Sequence, residues 1–231
     1  MFKPARARHR VVMDALAALD AGFLERAECF FGGGTRIVLA LGEYRESADI
    51  DFLCASREGY RALRSTVGER TLGAIARAKV DFAREVIADR YGIRTVLDVA
   101  GERLKLEIIL EGRIGLAGTR EKDLPVPVLD PASCCAEKFL ANADRGTDES
   151  ALGRDVIDLA FMASRWGPEP LRAGLAIAVE AYGKVIAADA KRAATRMLER
   201  KDWRQRCVAA LSVTDTRTLL SGLRLVAAGR W

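Results

Sequence analysis

Two acidic residues, Asp49 and Asp51, stand two positions apart in a short apolar segment, Ala48 to Cys54. In an extended strand this spacing places both carboxylates on the same face. Like charges so close together are unfavourable unless a cation lies between them, and carboxylate oxygens suit Mg²⁺ or Mn²⁺. The pair therefore predicts a divalent-metal site, with a solvated edge strand as the alternative.

A glycine-rich turn, Gly33-Gly34-Thr35, lies upstream, and fourteen residues separate Gly34 from Asp49. Glycine lets the backbone approach a ligand closely, and the N–H groups at a helix N-terminus attract phosphate. Thr35 is the expected N-cap of a helix that runs through Leu41. The turn predicts a phosphate contact beside the metal, although such a turn also occurs simply between a strand and a helix.

A third carboxylate, Glu107, lies in the segment Arg103 to Leu110, where apolar residues alternate with Lys105 and Glu107. Strand alternation places Lys105 and Glu107 on one face, where Lys105 is available to an anionic ligand. If this strand neighbours the one that carries Asp49 and Asp51, the three acids can hold two magnesium ions about 4 Å apart for an in-line displacement. The alternative for Glu107 is an exposed strand residue.

The sequence contains few residues that could support other kinds of catalysis. The only histidine is His9, expected on an exposed helix face, so histidine-based acid/base and nucleophilic mechanisms have few candidates. The five cysteines are odd in number, scattered and without a CxxC pair, which argues against a disulfide framework or a zinc site: Cys29, Cys54, Cys134, Cys135 and Cys207. Carboxylates, lysine, arginine and metal are left to carry the reaction.

The pattern of elements indicates an α/β fold followed by a helical lobe. A mixed sheet with flanking helices is predicted for residues 1–128 and a helical domain for 129–231, with the proline-rich segment Leu124 to Pro131 as the connector. The predicted strands are 28–31, 48–54, 80–87, 93–99 and 103–110. The predicted helices are 8–21, 35–41, 57–67, 69–78, 131–144, 150–166, 168–187, 189–211 and 214–228.

Charge is distributed unevenly along the chain. The net charge is +5, and Pro168–Trp231 contains twelve basic against six acidic residues, which suggests a polyanionic partner. In the helix predicted there, four arginines at i+4 spacing form a slanted stripe that could follow a phosphate backbone, with Trp203 able to stack on a base. The alternative is a solvated face. The four are Arg192, Arg196, Arg200 and Arg204.

Membrane association is not indicated. No apolar run reaches the roughly 18 residues that a membrane span requires, and the basic N-terminus leads into an amphipathic segment instead of a signal-peptide core. We therefore expect a cytoplasmic protein.

Taken in order, these motifs resemble the AbiEii/AbiGii-type nucleotidyltransferase toxins, a branch of the polymerase-β-like nucleotidyltransferase superfamily. The resemblance spans about residues 30–160. The matching pieces are Gly33-Gly34-Thr35, Arg45 to Asp51, Lys105-Leu106-Glu107-Ile108, Glu137-Lys138 and Arg154 to Leu159.

For the strand residues, the resemblance implies a metal and nucleotide site. Gly33 and Gly34 would hold the triphosphate of an NTP through backbone N–H groups. Asp49 and Asp51 would bind magnesium. Glu107 would be the third ligand, or the base that deprotonates the acceptor hydroxyl.

For the helical part, the resemblance implies that Lys138 contacts the nucleotide phosphates and that Arg154 and Asp155 close the cleft, Asp155 as a catalytic or orienting group. Arg36 departs from the small or apolar residue expected after the turn, and a phosphate contact is its expected role. The remaining residues assigned to the nucleotide side are Thr35 and Ser47, and Arg45 would flank the metal strand with Ser47.

The function implied is transfer of a nucleoside monophosphate from an NTP to a hydroxyl, releasing pyrophosphate. By resemblance the acceptor is an RNA 3′ end, with tRNA expected, and the protein is the toxin of a toxin–antitoxin or phage-defence pair with a cognate antitoxin. Two rivals stay open. A small-molecule, antibiotic-type nucleotidyltransferase is disfavoured by the basic C-terminal third, because its cationic substrate needs an acidic pocket. A non-catalytic RNA- or protein-binding module is disfavoured by the three intact acids.

Overall fold

The computed structural model describes residues 3–231, which pack into two compact units. The first unit contains the described residues up to Arg36 together with Ala48–Asp130. The second contains Ile37–Ser47 together with Pro131–Trp231. The chain therefore enters the second unit briefly before it completes the first.

A seven-stranded mixed sheet forms the centre of the first unit. Its order is β3-β4-β5-β2-β1-β7-β6, in which β2 pairs parallel to β5 and antiparallel to β1. The strands are β1 (Cys29–Gly32), β2 (Ile50–Cys54), β3 (Asp81–Ala88), β4 (Gly92–Val99), β5 (Glu102–Leu110), β6 (Gly118–Thr119) and β7 (Val128–Leu129). The accompanying helices are α1 (Ala7–Ala17), α2 (Ala21–Arg26), α4 (Arg57–Arg64) and a 3₁₀ turn at Gly73–Ile75.

The alternation of side chains along the central strands decides which face is packed. In β2, Ile50, Phe52 and Cys54 are buried, whereas Asp51 and Leu53 are only half-buried. The strand β5 repeats this pattern beside it, so the acidic residues lie on the less buried face of the sheet. The mixed sheet with flanking helices that the sequence predicts is confirmed.

The second unit is helical throughout its C-terminal part. The helix α3 (Gly33–Ala40) leads into its first segment. The others are α5 (Pro131–Arg145), a 3₁₀ turn at Glu149–Ala151, α6 (Arg154–Arg165), α7 (Pro168–Tyr182), α8 (Val185–Glu199), α9 (Lys201–Ala210) and α10 (Thr216–Ala228). Among residues 3–231, none of the helices has the length and apolar character needed to cross a membrane.

The predicted helix over 69–78 is wrong. Only a 3₁₀ turn forms there, because Gly68 and Thr71 pair as an isolated bridge and Gly73 adopts φ +53°. A Cβ at Gly73 would lie 1.9 Å from the Thr66 carbonyl oxygen, so only glycine fits this left-handed position, and a positive φ is incompatible with a regular right-handed helix.

The predicted helix over 189–211 is also wrong as a single element. Arg200 has φ −89° and ψ 80°, which ends α8 and begins α9. Arg204 Nη1 donates to the carbonyl oxygens of Met197 (2.8 Å) and Leu198 (2.7 Å). These bonds satisfy carbonyls at the end of α8 that have no partner within the helix.

Smaller predictions fail near the N-terminus. The first helix ends at Ala17, and Asp20 accepts from the Phe23 N–H to cap a separate helix, α2. Thr35 is not an N-cap, since α3 already begins at Gly33. His9 is fully buried on α1, where an exposed position is expected. All five cysteines are buried free thiols.

Candidate active site

The acids of β2 and β5 meet in the first unit. The parallel pairing sets Asp51 directly opposite Glu107, so both side chains project from the same face. On the other side of Glu107, the antiparallel pairing sets Arg94 in the same row. On the other side of Asp51 the partner residue is Gly32, which contributes no side chain to the row.

Close packing of glycine against Asp51 joins the acidic row to the glycine-rich turn. Gly33 adopts φ +67°, a conformation that favours glycine. A Cβ built there would lie 2.3 Å from Asp51 Oδ2. The absence of a side chain at Gly33 is therefore what lets the start of α3 lie against the carboxylate, with Gly34 next in the turn.

Glu107 is held by two cations. Lys105 Nζ donates to its Oε2 at 2.6 Å, and Arg94 Nε lies 3.7 Å from its Oε1. The predicted pairing of Lys105 and Glu107 on one face is thus present, with Lys105 bound to the acid. Asp49 lies just ahead of β2, exposed to solvent, since the strand begins at Ile50 and not at Ala48 as the sequence suggests.

The donor set on this face fits a divalent metal in its chemistry. Asp49, Asp51 and Glu107 offer only carboxylate oxygens, which Mg²⁺ and Mn²⁺ prefer to thiols and imidazoles. In residues 3–231 no three such side chains converge on one point, and Glu107 faces its two cations instead. The metal assignment for these three residues stays a prediction.

Two other residues predicted for the nucleotide side are enclosed in the first unit. Thr35 lies fully buried in the first turn of α3. Arg36 is only 1% exposed, and its Nη2 donates to Glu121 Oε1 at 2.5 Å. Its Nε and Nη1 are buried and have no hydrogen-bond partner among the described residues. A phosphate contact by Arg36 also stays a prediction.

In the second unit, Asp158 is the centre of a buried charged network. Arg45 forms a bidentate pair with it, Nε to Oδ1 at 2.7 Å and Nη2 to Oδ2 at 2.8 Å. Tyr44 donates its hydroxyl to Oδ1 at 2.6 Å, and Lys138 Nζ lies 2.8 Å from Oδ2. Asp158 is fully buried, so these partners replace the water that the carboxylate loses.

Asp155 extends this network. Lys138 Nζ donates to its Oδ1 at 2.9 Å, and Arg145 Nε donates to its Oδ2 at 2.7 Å. Lys138 is therefore shared by two carboxylates one helical turn apart on α6. We define the buried network as Tyr44, Arg45, Lys138, Arg145, Asp155 and Asp158.

The network determines the charge states of its members. Burial on its own raises the pKa of the Asp158 carboxyl, but the charges of Arg45 and Lys138 outweigh this effect and lower it. Burial likewise raises the pKa of Asp155, while Lys138 and Arg145 bring it far below its ordinary value. Burial lowers the pKa of Lys138, whereas Asp155 and Asp158 raise it overall. All three groups are thus charged at neutral pH.

Two further residues predicted for the site, Arg154 and Ser47, lie near members of this network in the chain. Arg154 begins α6, and its buried Nε has no hydrogen-bond partner in the described part of the chain. Ser47 is half-buried at the end of the short segment that also supplies Arg45. Asp158 is not among the residues predicted for the site, although it belongs to the segment Arg154–Leu159 that carries part of the family resemblance.

The basic row near the C-terminus does not form the predicted stripe. Its helix is broken at Arg200, and Arg204 caps α8. Trp203 is only 5% exposed, with the guanidinium groups of Arg196 and Arg206 over its ring. Stacking of Trp203 on a base is therefore excluded in this conformation.

Solved structures with the same fold include several nucleotidyltransferases. A candidate nucleotidyltransferase from H. pylori is 15% identical, with a TM-score of 0.54 over 99% of this chain and 97% of that one. JHP933 from Helicobacter pylori is 14% identical, with a TM-score of 0.52 over 98% and 94%. MenT4, a nucleotidyltransferase toxin from Mycobacterium tuberculosis H37Rv, is 19% identical, with a TM-score of 0.51 over 96% and 85%.

These likenesses show that the chain shares its fold with nucleotidyltransferases. No curated protein sequence matches it. The family model described as nucleotidyl transferase AbiEii toxin, type IV toxin–antitoxin system, matches residues 14–220, and the chain belongs to this family.

Proposed function

We propose that this toxin transfers a nucleoside monophosphate from an NTP to the 3′ hydroxyl of an RNA, with tRNA as the expected acceptor, and that the reaction requires Mg²⁺ or Mn²⁺. The observation that carries the proposal is the alignment of Asp51 with Glu107 on neighbouring parallel strands, with Gly33 packed against the Asp51 carboxylate. Family membership supplies the nucleotidyltransferase chemistry and the toxin–antitoxin setting, and the antitoxin follows from it as a partner.

In this proposal Asp49 and Asp51 hold the metal, and Glu107 is its third ligand or the base. When bound, a divalent cation neutralises charge on the transferring phosphoryl group and its leaving oxygens. Gly33 and Gly34, at the start of α3 beside Asp51, would orient the triphosphate through their backbone N–H groups.

Lys105 and Arg94 keep Glu107 oriented within the row. As a base, Glu107 would accept the proton of the acceptor hydroxyl while its two cations hold the carboxylate in place. The proposal keeps nucleotide-side roles for Lys138, Arg154 and Asp155, and for Thr35, Arg36 and Ser47, as the family resemblance implies. Catalysis on this scheme depends mainly on positioning and charge neutralisation.

Substitution of Asp51 by asparagine tests the proposal, because it keeps the shape and removes the charge. The purified protein is incubated with each labelled NTP, Mg²⁺ and total RNA, and the products are separated on a gel. We expect wild type to label RNA and Asp51→Asn to lose labelling while its thermal unfolding stays close to that of wild type.

The matched control is Asp81→Asn, which removes an exposed acid from β3 at the edge of the same sheet. Undiminished labelling by Asp51→Asn, or equal loss in the control, refutes the assignment. Labelling of a small-molecule acceptor in place of RNA would favour the antibiotic-type rival.

A further inference from the structure

A cavity of about 540 Å³ opens in the helical unit between the end of α5 and the length of α8. None of the residues assigned to the nucleotidyltransferase site lines it. Its volume lies within the range of small-ligand pockets. Most of its wall is apolar, and Ala143 and Ala193 contribute only methyl side chains to it.

Four cations line this cavity, Lys191, Arg192, Arg196 and Arg200, against two acids, Asp189 and Glu199. Arg192 is paired with Asp189 on the same helix. The cavity lining therefore carries an excess of positive charge, which comes from α8 and its C-terminal end, while most of the wall is apolar. An anionic ligand with an apolar body is the chemistry that such a lining recognises.

Glu149 shows where the anionic part of a ligand would lie. Its Oε1 accepts from Arg196 Nη2 at 2.8 Å and lies 3.4 Å from Arg200 Nη1. One oxygen shared by two guanidinium groups means that the two arginines converge on a single point. The Glu149 side chain is half-exposed, so a phosphate can replace it at little cost.

Asn142 supplies a polar group for the other part of the ligand. It lines the cavity and is 2% exposed, and neither its Nδ2 nor its Oδ1 has a hydrogen-bond partner among the described residues. A buried amide whose NH₂ group and carbonyl oxygen are both unused is unfavourable unless a ligand or water satisfies them. The same pair of groups matches the N6 and N7 edge of adenine.

We infer that this cavity binds an adenine nucleotide, with Arg196 and Arg200 on the phosphate and Asn142 on the base. The nucleotide is a residue of a single-stranded RNA or a free mononucleotide. The RNA form rests on the proposed function, since it would place part of the acceptor on the helical unit. An acidic protein segment is a poorer match, because its carboxylates would satisfy the arginines but leave the Asn142 amide unused.

Binding is measured by fluorescence anisotropy with the full chain, a fluorescein-labelled hexa-adenylate RNA, EDTA and no NTP. Unlabelled AMP and a hexaglutamate peptide serve as competitors. We expect Arg196→Gln/Arg200→Gln to weaken RNA binding by about tenfold or more and to lower the salt slope by about 1. The matched control, Arg217→Gln/Arg224→Gln on α10, removes the same charge from exposed positions and should leave binding within about twofold.

Two further variants separate binding from folding. Glu149→Gln removes the competing carboxylate and should tighten binding by about twofold to fivefold, a gain that damaged folding would not produce. Asn142→Leu should lower the ratio of the affinity for hexa-adenylate to that for hexauridylate by about fivefold or more. Its melting temperature should be equal to that of wild type or higher.

Competition by AMP assigns the site to a free nucleotide, and binding of hexa-adenylate without competition by AMP assigns it to RNA. No binding of either, equal loss in the α10 control, or equal competition by hexaglutamate overturns the inference. Because the assay contains no NTP and no free metal, its failure leaves the transfer reaction untouched, and loss of transfer in Asp51→Asn leaves this binding unchanged.

Discussion

Replacing Arg45 by methionine should destabilise the helical unit strongly. The change removes both hydrogen bonds of a bidentate pair to Asp158, a carboxylate with no exposure to solvent. Loss of one partner of a buried ion pair costs about 3–5 kcal/mol. The Lys138 ammonium 2.8 Å from Oδ2 and the Tyr44 hydroxyl remain, so we expect the lower end, about 3 kcal/mol.

The measurement is the free energy of unfolding from urea titration, with the melting temperature beside it. For a chain of this size, about 3 kcal/mol corresponds to a melting temperature lower by roughly 6–12 °C. The control is Arg192→Met, which breaks an exposed pair with Asp189 in the same unit and should cost less than about 1 kcal/mol.

A double-mutant cycle identifies the cause. In Arg45→Met/Asp158→Leu the buried carboxylate is gone as well, so the double variant should be destabilised by clearly less than the sum of the two single variants. Strict additivity, or an Arg45→Met protein within about 0.5 kcal/mol of wild type, would show that the pair does not stabilise this unit.

Two other changes follow from the same structure. Because their pKa values are lowered in the folded state, Asp155 and Asp158 contribute fully to the free energy of unfolding above pH about 3.9, the pKa of a carboxyl group in the unfolded chain. This contribution is lost as the pH falls below that value. In Asp155→Asn the free energy of unfolding, measured as a function of pH, should therefore fall less steeply in acid. Gly33→Ala places a Cβ against Asp51 Oδ2 at φ +67°, so it should destabilise the fold by more than about 1–2 kcal/mol and abolish RNA labelling. The control is Gly101→Ala, at φ +83° with open space around it. It should lose only the free energy that a left-handed alanine costs, about 1–2 kcal/mol, and keep full labelling.

The sheet could be predicted from sequence where side chains alternate. The three strands over 80–110 have regular apolar positions and turn residues between them, and they form β3, β4 and β5 nearly as expected. The common face of Lys105 and Glu107 follows from the same alternation. The register that sets Glu107 opposite Asp51 cannot be predicted from this alternation, because pairing between strands distant in sequence depends on the whole sheet.

The structure of the helical unit is less predictable from the sequence. Nothing in the residues around Arg200 marks a break by proline or glycine, and α8 ends there because Arg204 bonds its last carbonyl groups. Arg45 and Asp158 lie 113 positions apart, and each separately looks like an ordinary charged residue. Their pairing is a tertiary contact that local patterns do not encode.

The brief passage of residues 37–47 through the second unit affects the order in which the molecule can be completed. During synthesis Tyr44 and Arg45 leave the ribosome well before α6, so their hydrogen bonds to Asp158 must wait for most of the remaining chain. A fragment that starts at Pro131 would contain Asp158 without its bidentate arginine. The helical unit therefore cannot be obtained whole by cutting at the connector, and a nascent or truncated toxin carries an unfinished second unit until translation is nearly over.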